Sequence, residues 1–245
     1  VVGGRAQSRH NAGERAWRWV VSSKDYFDKV APQWDEMREV FFSEGVREKA
    51  IGVAGVRPGE LAADIGAGSG FVTEGLVRKG LRVIAVDQSE AMLNELRSKL
   101  SHLDTIEYRV GRAESLPVDN EAVDYVFANM YLHHVDSPPR AIGEMVRILK
   151  PGGRLVITDL DEHPFEFLRT EQRDRWLGFK RADVRMWLSE AGLRGVATDC
   201  VGEECCAQSA GGDGFASVSI FVAHGQKAGP VRAAQVTTDE GHGSV

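Results

Sequence analysis

The sequence predicts a doubly wound α/β fold, and three observations carry the prediction. Short apolar segments recur along the chain, helix-like stretches separate them, and a glycine cluster follows the first segment. Segments apolar on both faces belong in a parallel sheet that helices cover on either side. With 245 residues, 42% of them hydrophobic, the chain is long enough for one sizeable core.

Two helical patterns come first. "SSKDYFDKVAPQWDEM" is broken by Pro32, and "SEGVREKAIGVAG" has Ser43 as its N-cap and Gly55 as its stop. The strands follow at 61–66, 82–87, 106–111, 123–130 and 153–160. "FVTEGLVRKG", "SEAMLNELRSKL" and "PPRAIGEMVRILK" are the helices between them, and the crossover between the third and fourth strands has the weakest helical pattern. A polar and aromatic insertion, "DEHPFEFLRTEQRDRWLGFK", separates the fifth strand from a helix, "RADVRMWLSEAG". The strands "RGVATDCVG" and "FASVSIFVAHG", joined by the turn "SAGGDG", close the domain as an antiparallel hairpin. The domain is expected over 23–226, between flexible segments at 1–22 and 227–245.

Composition narrows the function. Thirty Lys and Arg against 36 Asp and Glu give a net charge of −6 without a basic block, so no nucleic-acid partner is expected. No segment reaches the roughly 20 apolar residues of a membrane span. Three cysteines and no apolar leader point to a cytoplasmic protein with free thiols. The partner expected is a small molecule, and the oligomeric state stays open, a homodimer included.

The cluster "GAGSG" sits where a parallel sheet binds ligands, beyond the carboxyl end of a strand. Gly66, Gly68 and Gly70 let the chain turn tightly, and the helix that follows points amide donors at a ligand. Asp87 ends the second strand, where an acid can take both hydroxyls of a ribose, so the ligand is a nucleoside derivative. A dinucleotide site prefers GxGxxG, whereas the spacing here is GxGxG and Asp64 stands two residues before the first glycine. An acid repels a pyrophosphate and attracts an ammonium or sulfonium, which favours S-adenosyl-L-methionine over NAD.

From about 26 to 224 the chain resembles the class I S-adenosylmethionine-dependent methyltransferases. "LAADIGAGSG" is similar to the first motif and "VIAVDQSEAML" to the ribose-binding segment. "GRAESLPVDNEAVDYVFANMYLHHV" and "AIGEMVRILKPGGRLVITDL" resemble the stretches through the fourth and fifth strands. The opening "YFDKVAPQWD" resembles the type 11 branch that holds quinone-biosynthesis and arsenite methyltransferases. The resemblance implies a Rossmann-like seven-stranded sheet of order 3-2-1-4-5-7-6 with strand 7 antiparallel.

It also implies a cofactor site. Asp64, Gly66, Ala67 and Gly68 would face the methionine part, Asp87 the ribose, and Gln88 and Met92 the adenine. The amide of Ala113 would meet an adenine nitrogen, and Asn129 and Met130 would close the pocket, with Tyr26 from the N-terminal segment beside it. The family's usual acid before that alanine is replaced by Arg112, so Glu114 would substitute for it or Arg112 would stack on the ring.

Methyl transfer needs a general base only when the acceptor carries a proton. His133, His134 and Asp159 are the catalytic candidates on the sheet's carboxyl edge, with Asp161, Glu162 and His163 nearby. The same histidines would equally serve to satisfy loop hydrogen bonds. Cys200, Cys205 and Cys206 fall in one segment, where thiolates would hold a thiophilic acceptor such as arsenite if the chain bent at "VGEE"; ordinary thiols are the simpler reading. Their spacing matches no common zinc site, and no metal is expected. Tyr26, Phe27, Trp34, Phe165, Phe167 and Trp176 would form a lid or part of the core. A nicotinamide oxidoreductase and a non-catalytic S-adenosylmethionine binder are the alternatives.

Overall fold

The computed structural model describes residues 22–212 and 214–229. Apart from Ser22 and residues 227–229, the segments expected to be flexible lie outside the described residues. The chain starts with helix α1 (Ser23–Val30), a single 3-10 turn at Ala31–Gln33 around Pro32, and α2 (Trp34–Phe41). Helix α3 (Glu44–Ala54) begins at Ser43, whose hydroxyl accepts the Gly45 amide at 3.0 Å, and ends at Gly55 in the left-handed conformation.

Alternation then takes over: β1 (Leu61–Ile65), α4 (Phe71–Arg78), β2 (Arg82–Asp87), α5 (Glu90–Leu100), β3 (Ile106–Val110), β4 (Val123–Asn129), α6 (Pro138–Ile148) and β5 (Leu149–Leu160). The insertion contributes only the short α7 (Phe167–Glu171), and α8 (Arg181–Glu190) leads to β6 (Leu193–Gln208) and β7 (Phe215–Lys227). The sheet order is β3-β2-β1-β4-β5-β7-β6, with β7 antiparallel to both neighbours. Val83 and Ala85 of β2 face one layer, with α3, α4 and α5, while Ile84 and Val86 face the other, with α6 and α8. That is the period of two expected of a strand buried on both sides.

Two elements differ from expectation. The chain between β3 and β4 forms no helix; an isolated bridge joins Arg112 to Ser115, and Leu116 and Val118 insert into the core. The sixth strand runs on through the cysteines to Gln208, because the start of β7 extends past the sheet and pairs with it as far as Phe215. The register shifts between Cys200 and Glu204, where Gly202 adopts φ +90° and supplies the bulge.

Candidate functional site

The loop after β1 is held by its own hydrogen bonds. The Gly66 and Ala67 amides donate to the Val86 carbonyl, the Gly70 amide donates to Ala67, and the Gly68 amide donates to the Asp87 carboxylate at 2.8 Å. The amides of Gly66, Ala67, Gly68 and Gly70 are thus satisfied within the protein, while Gly66, Ala67, Gly68 and Ser69 line the cleft. The glycines serve close packing. A Cβ on Gly66 (φ +71°) would overlap the Tyr131 ring, and one on Gly70 (φ +100°) would overlap Leu96 of α5.

Beside this loop, at the carboxyl end of β1 and β2, lies a cleft. It brings together Asp64, Gly66, Ala67, Gly68, Asp87, Gln88, Met92, Asn129 and Met130. Asp64 is fully buried and accepts the Thr73 hydroxyl at 2.6 Å. Burial pushes its carboxyl up to about 7, against the pull of Thr73 and with a push from Asp87. Burial also raises Asp87, although it accepts the amides of Ser89, Gly68 and Gln88.

Four expected residues stand elsewhere. Tyr26 turns away, its hydroxyl donating to Gln172 at 3.0 Å. Arg112 pairs with Asp136 at 2.5 Å instead of offering a stacking face, and Glu114 accepts the Asp136 and Ser137 amides ahead of α6. Both line a neighbouring cavity that shares Gln88, Tyr131 and His134 with the cleft. Ala113 is buried and its amide meets the Tyr131 hydroxyl.

The N-terminal helices cover the cleft. The Ser89 hydroxyl donates to Asp28 at 2.6 Å, the Ser69 hydroxyl donates to Asp35, and Lys99 pairs with Asp35 at 2.6 Å. Phe27, Trp34, Arg38 and Phe42 thereby line the cleft. Arg38 is buried with its guanidinium 4.4 Å from the Phe71 ring centroid, and its Nε has no hydrogen-bond partner among the described residues. Sequence reasoning missed Arg38, although Trp34, Arg38 and Phe42 recur at the i, i+4 spacing of one helix face.

A second cavity shares Phe27, Trp34, Phe42, Met130 and His134 with the cleft. Its other walls are Phe41, Leu160, Leu168 and Ala207, with a polar side made of His133, Gln172, Asp174 and Cys205. Of the aromatics expected in a lid, Phe165 and Phe167 pack instead into the core around Leu160 and Leu168, and the Trp176 indole donates to Val135.

His133, His134 and Asp159 come together at this polar side. His133 Nδ1 lies 2.7 Å from the Asp159 carboxylate, which is fully buried. Burial alone would depress His133, but the Asp159 and Asp174 carboxylates raise it to about 9. His134 is pushed well below its ordinary value by burial and by His133, and it stands at the junction of cleft and cavity. Asp174, raised to about 6 by burial, had no signal in the sequence: it lies in an insertion of no regular period. Tyr131 was missed as well, two residues beyond Asn129.

The thiols do not converge. Cys205 lines the second cavity, with its thiol pushed up to about 12 by burial, whereas Cys206 Sγ lies 3.8 Å from the Ser217 hydroxyl and Cys200 is exposed. The bulge falls before Cys205, so adjacent Cys205 and Cys206 keep the strand's alternation and face opposite sides.

A seven-stranded sheet of this order, with an acid beneath the first glycine loop and another ending β2, defines a nucleoside-ligand site of the Rossmann-like kind. Residues 63–157 match the family model described as a methyltransferase domain. A demethylmenaquinone methyltransferase of Renibacterium salmoninarum is 33% identical over 147 residues, covering 59% of this chain and 61% of the relative. The ubiquinone/menaquinone biosynthesis C-methyltransferase UbiE of Hydrogenovibrio crunogenus is 30% identical over 153 residues, 58% of this chain and 60% of the relative. The chain thus spans about three fifths of the length of these curated relatives.

Among solved structures, a chain of the complex between the Haloferax volcanii Trm112 methyltransferase activator and a methyltransferase superposes with a TM-score of 0.70. It is 22% identical, and the match covers 84% of this chain and 98% of that one. Phosphoethanolamine N-methyltransferase 2 of Haemonchus contortus, in complex with S-adenosylhomocysteine, gives 0.69 at 17% identity over 85% of this chain and 61% of that one. Both likenesses concern the fold. Residues 63–157 thus carry the methyltransferase-domain match, inside a sheet of Rossmann-like order. Among the described residues no helix is long and apolar enough to cross a membrane.

Proposed function

We propose that the protein transfers a methyl group from S-adenosylmethionine to a small, largely apolar acceptor by in-line displacement. The observation that carries this reading is the meeting of two buried opposite charges, Asp64 and Arg38, in one cleft that opens onto an aromatic cavity. An amino-acid group carries both an ammonium and a carboxylate, and Asp64 and the unpartnered Nε of Arg38 suit the two in turn. Asp87 ends β2, as a ribose contact requires, and Gln88, Met92, Asn129 and Met130 complete the walls. Bound in this cleft, the cofactor supplies an electrophilic methyl group.

The acceptor's place is the adjoining cavity, where Phe27, Trp34, Phe41, Phe42, Leu160 and Leu168 exclude water and hold a flat apolar molecule. Alignment of acceptor, methyl and sulfur is worth roughly 7 to 11 kcal/mol of barrier reduction in well-oriented systems. His134 lies between the two ligands and, with His133, forms the wall that the acceptor's reacting atom meets, while Asp159 stands behind His133. The names of the curated relatives favour a quinol-like acceptor, and the aromatic and aliphatic lining of the cavity suits one.

The test couples binding to turnover. Calorimetry is expected to show S-adenosylmethionine binding that Arg38→Met weakens by about 10- to 100-fold, the loss of one charge-assisted contact. Mass spectrometry with labelled cofactor, offering quinols, phenols, small thiols and arsenite in parallel, is expected to find label on the quinol or phenol arm. Tight NADH binding without S-adenosylmethionine binding overturns the reading. Label confined to arsenite or thiols overturns the choice of acceptor.

A further inference from the structure

We infer that His133, His134 and Asp174 form a binding site for a divalent transition-metal ion on the polar side of the acceptor cavity. One ligand atom from each residue lies within 4.8 Å of the other two, and His133 and Asp174 are buried. His133 Nε2 stands 3.8 Å from the Asp174 carboxylate. That is too far for a hydrogen bond, and close to the roughly 3.4 Å between two ligands held at about 2.1 Å by one tetrahedral ion.

The surroundings match what orients metal-binding imidazoles. His133 Nδ1 is engaged by the Asp159 carboxylate at 2.7 Å, which leaves Nε2 for Asp174 and an ion, and His134 Nδ1 lies 3.3 Å from the Arg173 carbonyl. Two acids, Asp159 and Asp174, are buried here at 0% and 6% exposure, and an ion at His133 Nε2 would take the place of the proton they favour there. Two imidazoles and one carboxylate suit zinc or its first-row neighbours better than calcium or magnesium. Three protein ligands leave a coordination position facing the cavity, the arrangement of a catalytic ion. The three residues come from the end of β4 and from the distant insertion, so no local spacing announces them. A role for the ion in binding the acceptor's heteroatom rests on the proposed methyl transfer; the binding of the ion does not.

The test is a titration of the full chain, stripped with a chelator, with Co²⁺ followed by visible absorption and then displacement by Zn²⁺. The expected result is saturation at one equivalent, with affinity reduced at least tenfold in Asp174→Asn, partly restored in Asp174→Glu, and unchanged in Cys205→Ser. Circular dichroism melts show that the variants fold, and Asp174→Glu keeps the test decisive if Asp174→Asn does not. No saturable Co²⁺ uptake by the parent overturns the site, as does uptake insensitive to both Asp174 variants or lost in Cys205→Ser. Calorimetry with S-adenosylmethionine on the same samples separates the two readings: cofactor binding without cobalt uptake removes only the metal site. Cobalt uptake without cofactor binding supports the metal site and removes the methyl-transfer reading.

Discussion

The two halves of the ligand space are assembled differently. On the cofactor side, Asp64, Gly66, Ala67, Gly68, Asp87, Gln88 and Met92 come from two consecutive strand-to-helix turns, tied together by the Gly68 to Asp87 hydrogen bond. On the side proposed for the acceptor, the walls come from α1 and α2, the ends of β4 and β5, the insertion and the far end of β6. A turn that satisfies its own backbone groups holds its shape locally, whereas a cavity between six segments exists only when all of them pack. Substitutions on the first side should therefore act on affinity, and those on the second on stability and selectivity together.

The strongest way to break this contrast is Asp64→Asn, which is expected to weaken S-adenosylmethionine by about 10- to 100-fold in a calorimetric titration. The acceptor cavity should keep its shape, so thermal stability should not fall. The pH dependence sharpens the same point. Burial raises Asp64 to about 7, so the ligand-free protein loses this negative charge as pH falls through 7 and cofactor affinity drops with it. The stability contribution has the opposite sense: between about pH 4 and pH 7 the folded state binds the extra proton, so stability from this group declines as pH rises and levels off above 7. Affinity that is flat from pH 6 to 8 would separate Asp64 from the cofactor.

Leu168→Ala probes the acceptor side alone. Loss of a buried leucine costs roughly 2 to 5 kcal/mol, read in a denaturant melt, while cofactor affinity is expected to stay within twofold and bulkier acceptors to gain relative to smaller ones. A large loss of cofactor affinity there would abolish the distinction. The smallest effect is expected from Asp35→Asn, which loosens the attachment of α2 to Ser69 and Lys99. A partly exposed pair of this kind contributes about 1 kcal/mol or less, seen as faster proteolysis within 22–42 and as weaker protection on adding cofactor.

Legibility in the sequence followed the same division. Strand alternation and the glycine loop announced the β1 and β2 turns, since both signals are local and periodic. The partners of Arg112 and Glu114 were not legible, because the chain from β3 to β4 ends in ion pairs and caps around Asp136 that only the α6 start brings near. Tyr26 is a further case: an aromatic at the right distance along the chain whose ring the α1 orientation turns to Gln172.

What the sequence alone determined is whatever a few neighbouring residues decide: the period-two strands, the capped helices, and the Asp64 and Asp87 turns at the sheet's carboxyl edge. Tertiary structure decided the internal pairing of the loop amides, the presence of Arg38 and Asp64 in one cleft, and the meeting of His133, His134 and Asp174. The physical reason is that turns and periods are fixed by φ, ψ and side-chain spacing within a few residues, whereas a charge pair or cavity wall depends on which segments pack together across the whole domain.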